Sequence, residues 1–228
     1  MEIRLDPLVK VKEAVSAGRL PAEVLEKLQA KLVNLEEAIK KVEKASGLRY
    51  PLHYVQPVLI LVQSGAELGV TGIYYARNVP VTVNNRLNLL VEFTAPLVLY
   101  SSKPTLLAVA AHEFTHYLEL VRRFSEQPTS SFAATTMFEA TYRDMEEAMP
   151  PQKMFGRYRS LARLIDSKFE GGFTDESLNE RTLRNWLQKK LPVVVVHPED
   201  NWVRVPVEAI MNASFDPEAL RKIREMTV

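Results

Sequence analysis

Not one of the 228 residues is cysteine. That excludes disulfides, thiolate metal ligands and cysteine nucleophiles, and leaves His, Asp and Glu as the strong metal-binding side chains. An excess of charge is missing too. Twenty-nine basic against 28 acidic residues leave a formal net charge of +1, too little for a global field that would draw in nucleic acid. No apolar run approaches the length of a membrane span, and the N-terminal MEIRLDPLVKVKEAV lacks the unbroken apolar stretch of a secretory leader. The expectation is a cytoplasmic protein without membrane contact, although a secreted chain whose leader had been removed would read the same way. Internal repeats and low-complexity tracts are also lacking. With 46% hydrophobic residues, the chain can bury one substantial core, and a globular protein follows.

Three segments differ in texture. In residues 1–47, Asp6-Pro7 starts a short helix, Gly18 to Pro21 makes a turn, and Leu25, Leu28, Leu32, Leu35, Ile39 and Val42 line one face of a second helix that ends at Gly47. This is a helical hairpin. From Leu48 to Tyr100, β-branched and aromatic runs (VLILVQ, GIYYAR, VPVTVN, LNLLVEF, LVLY) predict a small, mostly antiparallel sheet, with Asn84-Asn85 as a turn. Ser101-Ser102-Lys103-Pro104 then opens a helix over TLLAVAAHEFTHYLELVRRF, and FAATTMFEATYRDMEEAM reads as a second helix ended by Pro150-Pro151. Residues 48–152 form the expected core.

The long helix carries His112-Glu113-Phe114-Thr115-His116 at its middle. Residues four apart project from one face, so both imidazoles can reach a single ion, and Glu113 lies one step round the helix beside it. Zinc ligands and a general base are thereby placed together. Leu106, Val109, Ala110, Phe114, Leu118 and Val121 surround the motif with apolar positions, so at least one imidazole is expected to be buried. Four-coordinate catalytic zinc needs a third protein ligand and an open position, and without cysteine that ligand must be His, Glu or Asp. Glu119 and Arg122 stand where the metzincins carry a glycine and a third histidine.

The arrangement resembles the gluzincin metallopeptidases, including thermolysin-like enzymes and the small minigluzincins, over roughly residues 70 to 150. The resemblance implies a peptidase acting on peptide or protein substrates, with Zn2+ held by His112, His116 and a glutamate on the following helix, and Glu113 activating water. Helical rise ranks Glu139 ahead of Glu146 for the third ligand, while Glu147 would point away. One departure is Arg143, which occupies the position where thermolysin-like enzymes place a supporting acid. The resemblance also implies that GIYYARN or VPVTVNN forms a substrate-binding sheet edge. Tyr142, His197, Tyr74 and Tyr75 are candidates to stabilise an oxyanion.

Residues 153–228 predict a helix, a Gly171-Gly172 stop, a further helix through Lys190, a β-hairpin from LPVVVVH and WVRVPV, and a terminal helix from Asp216-Pro217. This order has the outline of a winged helix, but Lys153 to Leu191 holds only nine basic residues against five acids, which favours packing over DNA binding. The expected fold class is therefore α+β: a zincin-like core with an HExxH helix followed by a glutamate helix, after a helical hairpin and before a helix and β-hairpin subdomain. The alternative function is a zincin-fold regulatory or DNA-associated protein with a vestigial metal site.

Overall fold

The computed structural model describes residues 6–63, 70–126, 137–141, 147–197 and 202–227. It is a mixed α/β chain, compatible with α+β, built around a central 24-residue helix. The N-terminal hairpin is present as α1 (Val9–Ser16) and α2 (Ala22–Ser46). Gly18 takes φ +66° in the turn between them, and Gly47 closes α2 in the left-handed region, where a side chain would be strained.

The strands β1 (His53–Gln56), β2 (Leu59–Gln63), β3 (Val70–Tyr74), β4 (Ala76–Val83) and β5 (Arg86–Thr94) follow. They divide between two sheets. In one, β5 lies between β1, its parallel neighbour, and β4, its antiparallel one, so β4 is terminal among the described residues. The β4–β5 hairpin turns at Asn84 and Asn85, with φ +49° and +59°, as their turn chemistry predicts. In the other sheet β2 is central, antiparallel to β3 and parallel to β7 (Val193–Val196). The predicted mostly antiparallel sheet is thus two small mixed sheets.

LVLY, predicted as strand, lies in α3 (Ala95–Tyr100), where Pro96 stands in the first turn. The next helix, α4 (Lys103–Glu126), is capped by Ser102, whose Oγ accepts from the Thr105 amide at 3.2 Å. Helix α4 is the hub. It packs against α2, the later helices α6 (Arg159–Phe169) and α9 (Pro217–Thr227), and both β4 and β5, and Ala108, Ala110, Ala111, Phe114, Leu118 and Val121 on it are fully buried. Tyr50 stacks between Phe114 of α4 and Phe93 of β5, at 5.4 and 6.4 Å, and its hydroxyl donates to the Ala110 carbonyl at 2.8 Å. Sheet and helix are locked together there.

The predicted second helix is overturned where it is described. Met137–Thr141 is a strand, β6, antiparallel to β8 (Trp202–Pro206), with Glu139 opposite Arg204. The run MFEAT supports either period, and pairing with the β-branched WVRVP selects the extended form while Phe138 packs edge-on against Phe124 at 5.7 Å. Tyr142, Arg143, Asp144 and Glu146 lie outside the described residues.

After α5 (Pro151–Met154) come α6 (Arg159–Phe169), α7 (Glu176–Thr182, extended by a π-helical turn over Leu183–Leu187), α8 (Val207–Met211) and α9 (Pro217–Thr227). The predicted C-terminal hairpin does not form. Its strands belong to different sheets, β7 beside β2 and β8 beside β6, so among the described residues there is no two-stranded wing. The apolar VVVV run pairs with the apolar LILV of β2 instead, which a loop-tip wing could not offer.

Candidate metal centre

The regular α-helix on both sides of the motif places His112 and His116, about one turn apart, on one face of α4. Their rings meet at right angles with centroids 4.5 Å apart, and their Nε2 atoms converge to 2.9 Å. Two imidazole nitrogens on one tetrahedral zinc, each bonded at about 2.05 Å, lie about 3.3 Å apart. The pair therefore fits such an ion with a small adjustment.

The tautomer of His116 follows from its partner. Its Nδ1 sits 3.1 Å from the Glu147 carbonyl oxygen, which can only accept, so Nδ1 carries the proton and Nε2 keeps a lone pair toward His112. Burial pushes His112 down to about 3, with the neighbouring His116 adding to the shift. Burial likewise lowers His116, against the opposing effect of its bond to Glu147. Both rings are neutral at neutral pH, the form that binds metal.

Glu113 is buried beside them. One amide holds both of its ends: Asn78 Nδ2 donates to Glu113 Oε2 at 2.9 Å and to the Glu113 carbonyl at 3.0 Å. Asn78 comes from β4, the predicted edge segment, so that strand aims the carboxylate. The segment after residue 146 is stitched to α4 twice, by Glu147 on His116 and by the Met149 amide donating to the Thr115 carbonyl at 3.2 Å. Above the motif lies a cleft of about 390 Å³ that His112, Glu113, His116, Tyr74, Phe169 and Phe173 help to line.

The acids fall into distinct roles. Glu119 is taken by Arg122, whose Nε donates to it at 3.0 and 3.2 Å. Glu147 has an exposed side chain and contributes its carbonyl instead. Among the described residues no set of three His, Asp or Glu forms, and the side chain of Glu139 and the whole of Glu146 fall outside them. With residues 137–141 extended, the helical rise that ranked Glu139 above Glu146 no longer applies.

Of the four oxyanion candidates, Tyr74 lines the cleft. Tyr75 also lines it, but its hydroxyl is engaged by Asn179 at 2.9 Å and Thr182 at 3.1 Å. His197 lies past the end of β7 with its Nδ1 at the Gln63 carbonyl, away from the cleft. Tyr142 lies outside the described residues.

Asn78, the Glu147 carbonyl and Phe169 were missed by sequence reasoning. Asn78 alone left a trace, as a polar residue inside a strand otherwise rich in valine. A backbone carbonyl leaves none. Among the described residues no helix is long and apolar enough to cross a membrane. No protein-family model matches the chain, and no curated protein or solved structure was found to match it.

Proposed function

We propose that this chain is a zinc-dependent peptidase in which His112 and His116 hold the metal and Glu113 is the general base. The observation that carries the reading is the convergence of two neutral imidazoles at 2.9 Å beside a buried carboxylate, in an open cleft. Bound zinc would acidify a water and polarise a substrate carbonyl there. The Glu147 carbonyl keeps the His116 lone pair directed at the site. Asn78 keeps the Glu113 carboxylate in place, where it takes a proton from the attacking water and returns it to the leaving amine. The third ligand comes from Glu139 or Glu146, and Glu146 immediately precedes the residue whose carbonyl holds His116.

Metal analysis of protein purified without added metal tests the site. Wild type is expected to carry about one zinc per chain, His112→Ala to lose it, and one of Glu139→Ala and Glu146→Ala to lose it. Full zinc in His112→Ala would overturn the centre, and full zinc in both glutamate variants would overturn the ligand assignment. Glu113→Gln is expected to keep its zinc while cleavage of a denatured protein falls by about 100-fold or more. Wild-type cleavage by that variant would remove the general-base role.

A further inference from the structure

We infer that Phe169 is a positioning residue for His112, its ring serving where a hydrogen bond serves on His116, so that residues far along the chain set how well the site holds a divalent metal. This rests on the metal reading above. A histidine that binds metal usually gives its other ring nitrogen to a fixed partner, which sets the ring's orientation. His116 does so through the Glu147 carbonyl. For His112, no group among the described residues hydrogen-bonds Nδ1; its ring meets His116 through Nε2 at 2.9 Å.

What His112 has instead is a face. The Phe169 ring lies 3.6 Å from it, centroid to centroid, at an interplanar angle of 14°. The torsion about Cβ–Cγ of a histidine is broad and roughly two-fold, and it sets the plane in which the ring and its Nε2 lone pair lie. A ring stacked at that distance holds the imidazole in one plane and hinders rotation out of it, while the in-plane Nε2 lone pair stays uncovered. Phe169 therefore restricts a torsion that no hydrogen bond to Nδ1 fixes among the described residues.

Phe169 is itself held. Phe173 packs against it at 5.2 Å and meets Tyr75 edge-on at 5.4 Å, and the Tyr75 hydroxyl is tied to Asn179 and Thr182 of α7. The two phenylalanines are brought together by Gly171 and Gly172, at φ +77° and +113°, positions with open space around a would-be Cβ, so conformation and not crowding selects glycine there. Beyond the turn, Asp175 accepts from Lys168 at 2.9 Å and from Thr105 of α4 at 2.6 Å. Phe169 and His112 line both the cleft and a second hollow of about 520 Å³.

The test is zinc affinity of the full chain, read by competition with a chromogenic chelator, for wild type, Phe169→Leu and Phe169→Tyr. Phe169→Leu is expected to bind zinc about tenfold more weakly, in the range of lost outer-shell support, and Phe169→Tyr to restore affinity to within about twofold of wild type. Equal affinity in wild type and Phe169→Leu overturns the inference, as does a tyrosine variant as weak as leucine. Should Phe169→Leu fail to fold, the metal-free wild type decides: stacking requires upfield ring-current shifts of the His112 ring protons, and their absence overturns it. A wild type that binds no zinc overturns the metal reading and this inference with it, an outcome distinct from zinc binding that ignores residue 169.

Discussion

Each of the four histidines sits against a different partner, and the partner decides what the ring can do. His53 gives Nδ1 to the Pro51 carbonyl at 3.1 Å and packs edge-on against Tyr50 and Phe93. Burial holds its pKa below 6.5, against the weaker pull of that carbonyl and of Glu43 and Glu36. The unfolded chain therefore takes up this proton first as pH falls. The stability His53 contributes is present above pH 6.5 and is lost as pH drops through that value toward the folded pKa, by at most about 1.4 kcal/mol per pH unit. An NMR titration should give His53 a midpoint below 6.5, and His53→Gln should flatten the fall of Tm on the acid side. A midpoint at or above 6.5 would contradict the account. Asn78 belongs to the same scale: its type was visible in the sequence, but that its amide reaches both ends of Glu113 depends on β4 crossing α4 at that residue.

At the scale of elements, the β4–β5 hairpin offers a local test. Asn85 holds φ +59°, a conformation that costs most side chains about 1 kcal/mol and that asparagine and glycine tolerate. Asn85→Ala should destabilise the protein by about 1 kcal/mol in urea unfolding, whereas Asn85→Gly should remain within about 0.5 kcal/mol of wild type. Equal losses would mean that the turn is not strained there. This hairpin and α4 were legible in the sequence because turn chemistry, a serine cap and a 3.6-residue period act within a few residues. Residues 137–141 were not. Met137, Phe138 and Thr141 suit a strand as well as a helix face, and the deciding partner, Trp202–Pro206, lies about sixty residues away.

The whole molecule is closed by its C-terminal part. Strand β7 completes the sheet of β2, β8 pairs with β6, and the fully buried Trp186 donates to the Pro192 carbonyl, which also accepts from the Leu59 amide. Cutting the chain after residue 152 would expose the β2 edge and remove the cover of α4 by α6 and α9. That fragment is expected to lose cooperative thermal unfolding, read by circular dichroism; a sharp transition near that of the full chain would show that the core stands alone.

The sequence by itself determined α4, the helical hairpin before it, the asparagine turn, and the common face of His112 and His116. Each of these depends on bonded spacing and neighbouring side chains, which the chain carries wherever it goes. Only the tertiary structure decided that residues 137–141 are extended, that β7 and β8 part into different sheets, and that Asn78, the Glu147 carbonyl and Phe169 meet the motif. Those contacts join segments 31 to 57 residues away from the motif residues they serve. Which distant surfaces meet is set by burying the most apolar area at once, a property of the whole chain that no local window contains.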